Sequence, residues 1–398
     1  MTCLEDIQEL KHRVLNDVDL NQEVDDEEIR SLIRRHCGIY AREHMLSLRD
    51  REELEQSLFY TLRKLDVLQE LLDDDEITEI MVNGANHIFY EKYGRLYAFE
   101  KSFSTKEKLE DVIQQIAGNH NRMVNLLNPI VDTRLNDGSR VNIVLSPISI
   151  DGAAISIRKF PKQPYEMKDL IRMGAISEEA AHFLETLVIA RYNIFISGGT
   201  GSGKTTFLNA LSQYIPREER IITIEDSAEL QLIEKPNLVR LETRNANTEG
   251  VTPISIRNLI RTALRMRPSM IVVGECRGAE ALDVLQAMNT GHDGSLSTGH
   301  ANSCRDMISR LETMVLMGVE LPLPAIRSQI ASGIDIFVHL GRMQDKSRKV
   351  ISITEVDGYV DGEIILNELY QYTDGALQKV GGLKHRDKLK WAGVAFED

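Results

Sequence analysis

Apolar positions along the chain recur first at helical spacing and later at strand spacing, and the change divides the sequence. In residues 25 to 44, Ile29, Leu32, Ile33, Cys37 and Tyr40 return every three or four positions. In residues 51 to 72, Leu54, Leu58, Leu62, Leu65, Leu68 and Leu72 do the same. The spacing predicts two helices broken by a turn at residues 46 to 50, and so an antiparallel bundle over residues 1 to 72 rather than one long coiled coil. The acidic run Asp73-Asp74-Asp75-Glu76 follows and reads as a solvated boundary.

From residue 73 to 160 the pattern is mixed. Residues 80 to 82 and 87 to 90 read as strands around an Asn83-Gly84 turn, and residues 106 to 117 as a helix. Residues 141 to 145 and 154 to 160 alternate with period two. Val141, Ile143 and Leu145 share one face, Ile155 and Ile157 another, and Ser156 and Arg158 point away. Arg140 stands at the mouth of the first of these strands, after Asp137-Gly138-Ser139. An arginine on a rigid strand is a candidate partner for phosphate charge, although by default it is only solvated. Two prolines within residues 160 to 165, Pro161 and Pro164, make a stiff connector, and the linker is placed at 161 to 175.

The remainder, 176 to 398, alternates strand and helix. A helix begins at Ser177 with Ala181, Leu184 and Val188 inward, and strands are expected at 194 to 197, 221 to 225, 238 to 242, 270 to 273 and 336 to 340. Helices at 255 to 266, 279 to 288 and 304 to 317 separate them, which predicts a three-layer α/β domain.

Composition narrows the class. A chain of 398 residues exceeds the size at which one core stops growing, so more than one domain is expected. No apolar run approaches the ~20 residues that span a bilayer. The opening MTCLEDIQEL is too acidic for a secretory signal. Cys3, Cys37, Cys276 and Cys304 are scattered without a C-x-x-C pair, as in reduced thiols, and argue against a zinc site. A cytoplasmic protein is expected. The net charge of -14 repels phosphate backbones, so no nucleic-acid partner is expected.

The chemistry concentrates in four segments. Gly198-Gly199-Thr200-Gly201-Ser202-Gly203-Lys204-Thr205-Thr206 lies between an apolar strand and a helix-forming run. Glycines let the backbone curl its N–H groups around an anion at a helix N-terminus, Lys204 can reach the terminal phosphates of a nucleotide, and the Thr205 hydroxyl can bind magnesium. Strand 221 to 225 ends in Glu225-Asp226, with Glu229 beyond, and the strand from 270 ends in Glu275. Ligands of open α/β sheets bind at the carboxyl ends of strands, so these acids should converge on the phosphates, where hydrolysis needs a carboxylate for the metal and a group to place water. The bland alternative makes Asp226 and Ser227 caps of a following helix, and explains Glu275 less well. Finally, His292 and His300 lie eight apart, a spacing that in a strand would put both on one face. With Asn302 nearby, His300 could sense a γ-phosphate or couple neighbouring subunits.

Taken together, GGTGSGKTT (198 to 206), TIEDSAEL (223 to 230), LRMRPSMIVVGECRG (264 to 278) and AMNTGHDGSLSTGHANS (287 to 303) resemble the type II/type IV secretion ATPases, in particular the CpaF branch that powers tight-adherence, or Flp-type, pili. The resemblance runs from about residue 65 to the C-terminus. It implies a RecA-like P-loop NTPase core preceded by a small α+β domain and the helical bundle, binding ATP and Mg2+. It makes 198 to 206 the Walker A loop; Glu225, Asp226 and Glu229 the acidic box; Glu275 the Walker B acid; and His292 and His300 the histidine box. It matches Arg134, Arg140 and Arg158 to small-domain arginines that fold over the nucleotide. It further implies a homohexamer whose motion passes to a polytopic inner-membrane platform protein, so that the ATPase works at the inner face of the cytoplasmic membrane.

Ser269, Cys276 and Gly299 depart from the family pattern, standing where an acid and two aliphatic residues are usual. The four-cysteine zinc module of the general secretion branch is absent, which favours the pilus branch. Other readings are a nucleic-acid translocating ring, a conjugative or type IV secretion traffic ATPase, and a nucleotide-dependent scaffold that does not turn over.

Overall fold

The computed structural model describes residues 4–18, 24–120, 122–160, 163–244 and 252–394. Cys3, Pro161 and Lys162, on which the thiol and linker expectations partly rest, lie outside them. The chain divides into two compact units, Met1–Lys162 and Gln163–Asp398.

The first unit begins with helices α1 (Leu4–Asn16), α2 (Asp26–Glu43) and α3 (Leu48–Arg63), closed around Leu10, Val14, Ile29, Ile33, Cys37, Leu54 and Leu58. Asp25 caps α2 by accepting from the Glu28 amide, and Ser47 and Asp50 form a reciprocal capping box that starts α3. The leucine run does not continue as one helix to residue 72. It breaks after Arg63, where Asp66 takes a left-handed conformation (φ 54°) and accepts from the Thr61 hydroxyl at 2.9 Å. A separate α4 (Leu68–Asp73) follows, and Leu68, Leu71 and Leu72 join a different core. Periodicity carried across the break because both pieces happen to keep the same register of apolar positions.

That second core lies under a six-stranded antiparallel sheet of β1 (Ile77–Asn83), β2 (His87–Lys92), β3 (Arg95–Ala98), β4 (Ile130–Arg134), β5 (Arg140–Val144) and β6 (Ala154–Arg158). Its order is β3-β2-β1-β6-β5-β4, and α5 (Lys106–Gly118) packs on the face that carries Ile80, Val82, Val141, Ile143, Ile155 and Ile157. The Lys159 ammonium ties α4 to this sheet, donating to the carbonyls of Leu72 (2.7 Å) and Asp74 (2.6 Å). The acidic run is not simply a solvated boundary: Asp74 and Glu76 both pair with Lys92 at 2.9 and 2.6 Å, and Asp73 accepts from the Tyr60 hydroxyl at 2.6 Å.

The second unit opens with α6 (Met167–Arg172) and α7 (Glu178–Ile189), then alternates β7 (Ile194–Gly198), α8 (Lys204–Ser212), β8 (Ile221–Glu225), β9 (Leu238–Glu242), α9 (Ile256–Ala263), β10 (Met270–Cys276), α10 (Ala281–Asn289), β11 (Leu296–Gly299), α11 (Cys304–Leu316) and α12 (Leu323–Gly333). It closes with β12 (Ile336–Arg342), β13 (Arg348–Val360), β14 (Glu363–Thr373), β15 (Ala376–Lys379) and α13 (Asp387–Ala392). The sheet order is β15-β14-β13-β12-β7-β11-β10-β8-β9, parallel from β12 to β9 and antiparallel beyond. Ile194 and Ile196 face α7 and α8, while Phe195 between them faces the layer of α9 to α12. A strand buried on both faces reads as a continuous apolar run, and for that reason the central strands were legible. This is the expected three-layer α/β core. The alternative that made Asp226 and Ser227 caps fails, because residues 226 to 237 form no helix.

Candidate functional site

The strand order brings four chain segments to one edge. β7 ends in Gly198, its neighbour β11 in Gly299, the next strand β10 in Glu275-Cys276, and the next, β8, in Glu225. All four are parallel, so their carboxyl ends share a side.

The Walker A loop leaves β7 through Gly198, where a Cβ would come within 2.5 Å of Ser202 Oγ and 2.6 Å of the Leu340 carbonyl. Only glycine fits there. Gly203 takes φ 91° and serves as the N-cap of α8 without a side-chain cap, so the first amides of the helix stay available to an anion. Thr205 and Thr206 stand in the first turn of α8. Lys204 is almost fully buried; its Nζ donates to the Gly199 carbonyl at 3.0 Å and lies 3.3 Å from Nδ1 of His300.

From His300 the polar contacts step across the sheet. Its Nε2 lies 2.6 Å from Oε1 of Glu275, an ion-pair distance without hydrogen-bond alignment. Glu275 Oε2 accepts from the guanidinium of Arg277, which is 3.8 Å from Asp226 Oδ2. Lys204, His300, Glu275, Arg277 and Asp226 therefore follow the strand order β7, β11, β10, β8. Burial first, and then the Lys204 charge, lower the His300 pKa. A neutral imidazole can accept from Lys204 at Nδ1 while presenting Nε2–H toward Glu275.

Glu225 behaves differently from the other acids. Its Oε2 accepts from the amides of Glu229 (2.8 Å) and Leu230 (2.9 Å), it is 3% exposed, and its Cγ lies so close to Gly274 that a Cβ there would be 2.9 Å away. Burial pushes its pKa up despite the two amides. Glu225 thus shapes the loop that carries Glu229, and Glu229 is half-buried near Arg277.

His292 does not share a face with His300. β11 covers only 296 to 299, and the chain before it turns through Gly291 (φ 85°) and Gly294 (φ 88°). The Asn193 side chain, just before β7, accepts from the amides of Gly294 and Ser295. His292 therefore sits at the amino edge of the sheet, roughly 16 Å along β7 from the loop at ~3.3 Å per residue. Turn glycines broke the strand that the spacing had suggested.

In the first unit, Arg134, Arg140 and Arg158 form a row. Arg134 pairs directly with Arg140 and Arg140 with Arg158 across β4, β5 and β6, on the face opposite the apolar core. The three guanidinium groups thus lie side by side on one face of the small unit.

The sequence did not single out Arg277, Arg348 or His339. Arg348 Nε donates to the Gly201 carbonyl at 3.1 Å and its stem covers Gly203. His339 on β12 lies 2.9 Å from Ser197 Oγ beneath the loop. Arg348 and His339 have no local motif and are near the loop only because β12 lies beside β7 and β13 beside β12, while Arg277 falls inside the segment 264 to 278 but has no role assigned to it there. The three departures from the family pattern are accommodated. Ser269 Oγ accepts from the Arg220 amide, Cys276 is buried against Met314, and Met307 fills the space beside Gly299.

The model of the type II/IV secretion system protein family matches residues 61–371. The chain belongs to the type II/IV secretion ATPase family. It is 35% identical over 321 residues to the type IV secretion system protein PtlH of Bordetella pertussis, covering 74% of this chain and 94% of that one. It is 34% identical to a protein of Mycobacterium tuberculosis named for conjugal transfer, over 72% of this chain and 83% of that protein. The ATPase DotB of Legionella pneumophila shares its fold at 22% identity (TM-score 0.53; 73% of this chain, 80% of DotB). So does the pilus retraction motor PilT solved with ADP, at 20% identity (TM-score 0.54; 84% and 87%). Membership of this family implies nucleotide binding and ATP hydrolysis. Among the described residues, no helix of the ATPase is long and apolar enough to cross a membrane.

Proposed function

We propose that the protein is a hexameric, Mg2+-dependent ATPase motor of the CpaF branch, working in the cytoplasm at the inner face of the membrane. There it drives assembly of a Flp or type IV-like pilus through a polytopic inner-membrane platform protein. The observation that carries the hydrolytic part is the run of contacts from Lys204 through His300 to Glu275 across three adjacent strand ends. Lys204 is thus one imidazole away from an acid, which supports a paired role for the two.

In this reading, the amides from 199 to 206 hold the β- and γ-phosphates, and Lys204 exchanges the Gly199 carbonyl and His300 for phosphate oxygens. Thr205 and Glu275 hold magnesium, which supplies charge neutralisation of the phosphates when bound. The donor set suits it. The Thr205 hydroxyl is at the start of α8, and Glu275 Oε1 is withdrawn from solvent yet accepts no hydrogen bond. Among the described residues no group of three or more His, Cys, Asp or Glu gathers as for a zinc or calcium cage, and magnesium usually takes few protein ligands. Glu229 rather than Glu225 orients the attacking water, because both the burial and the loop contacts of Glu225 commit it elsewhere. The Arg134, Arg140 and Arg158 row supplies counter-charge to the phosphates.

Lys204→Ala is expected to abolish phosphate release by the purified protein; turnover at the wild-type rate would refute the site. The names of the conjugal transfer relative and of PtlH favour a second reading, a traffic ATPase of a type IV secretion system. Loss of surface filaments on deletion of the gene, with secretion intact, selects the pilus reading.

A further inference from the structure

We propose that Arg277 is a positioning residue for hydrolysis, clamping the acid at the end of β10 to the acidic loop that follows β8. The proposal rests on the ATPase reading above and assigns a role to a residue that the motif reading had left without one.

Three observations converge on it. One Nη of Arg277 donates to Glu275 Oε2, and the other lies 3.8 Å from Asp226 Oδ2, so a single guanidinium fork spans two strand ends. The backbone under it is fixed: Glu280 Oε1 accepts from the amides of Arg277 (2.7 Å) and Gly278 (2.9 Å), locking the turn directly after β10. Third, the two strands it joins are direct neighbours, with Met270 to Val273 in register with Ile221 to Ile224. Beyond those pairs the ladder has ended, and the side chains must set the spacing of the acids themselves.

The chemistry favours arginine for this task. A planar guanidinium offers donors in a fixed fork and can serve two carboxylates at once, whereas an ammonium is a point charge on a flexible stem. Without the clamp, Glu275 and Asp226 repel each other, and the loop bearing Glu229 loses its lateral tie to β10. Arg277 contacts Oε2 of Glu275 whereas His300 lies at Oε1, so it acts through the acid from the other oxygen.

The test is steady-state hydrolysis by the full chain, with wild type, Arg277→Gln, Asp226→Asn and the double variant measured in parallel. Melting curves accompany the rates, as does binding of a fluorescent ADP analogue in EDTA. Arg277→Gln is expected to lower kcat by about tenfold to a hundredfold with KM for ATP and metal-free ADP binding unchanged, as misplacement of a reacting group does. Because both residues act through one clamp, the double variant should lose no more than Arg277→Gln alone. If Arg277→Gln does not fold, Arg277→Lys replaces it and is expected to show a smaller loss in kcat with the same KM. Unchanged kcat, strictly additive losses, or loss of metal-free ADP binding would each overturn the role. A wild type no faster than Lys204→Ala overturns the ATPase reading and this role together, whereas wild-type turnover that Arg277→Gln leaves intact overturns this role alone.

Discussion

At the scale of single residues, the acidic box separates into two kinds of carboxylate. Glu225 is an internal fastener for the loop 226 to 230, while Glu229 and Glu275 are the acids that the proposed mechanism assigns to the water and the metal. Because burial raises the Glu225 pKa, folding favours its protonated form. That contribution is complete below the ordinary carboxylate pKa and is lost as pH rises through the raised value. Glu225→Gln keeps an acceptor for the two amides and removes the charge. It should therefore melt a few degrees above wild type at pH 8, with the advantage vanishing toward pH 4, as calorimetry across that range would read. The same variant should retain most hydrolysis, while Glu229→Gln and Glu275→Gln should not.

At the scale of elements, both sites are built from strand ends. The Arg134, Arg140 and Arg158 row exists because β4, β5 and β6 pair in a register that stacks three guanidinium side chains on the face opposite the core. Arg140→Ala is expected to lower hydrolysis about tenfold or more, the size of effect seen when a transition-state charge partner is removed. A fall in stability with unchanged hydrolysis would make the arginines structural. The alternation of 141 to 145 and 154 to 160 revealed the strands β5 and β6 and their faces. Nothing local revealed β3 or β4, whose short runs RLYA and IVDTR do not alternate apolar and polar residues. Likewise β13 to β15 were not foreseen, since an antiparallel extension with one solvated face lacks the unbroken apolar runs of the central strands.

At the scale of the whole molecule, the chain carries a phosphate-binding unit and a separate small unit with an arginine surface. A motor that joins such units in a ring should show subunit coupling. Sedimentation with nucleotide is expected to give a hexamer, and mixing Lys204→Ala subunits into wild type should reduce activity more than in proportion. Strictly proportional loss would show independent subunits.

The sequence by itself determined the Walker A loop, because strand, glycine turn and helix are contiguous and each is dictated by local chemistry. It also determined that Glu225 and Glu275 lie at strand ends, since the runs before them, 221 to 224 and 270 to 273, are short and largely apolar. Only the tertiary structure decided which of these groups meet. The insertion of β11 between β7 and β10 puts His300, and not His292, between Lys204 and Glu275, and the pairing of β10 with β8 brings Arg277 to Asp226. Strand order is a contest among long-range packings of similar apolar segments, and no local spacing records its outcome.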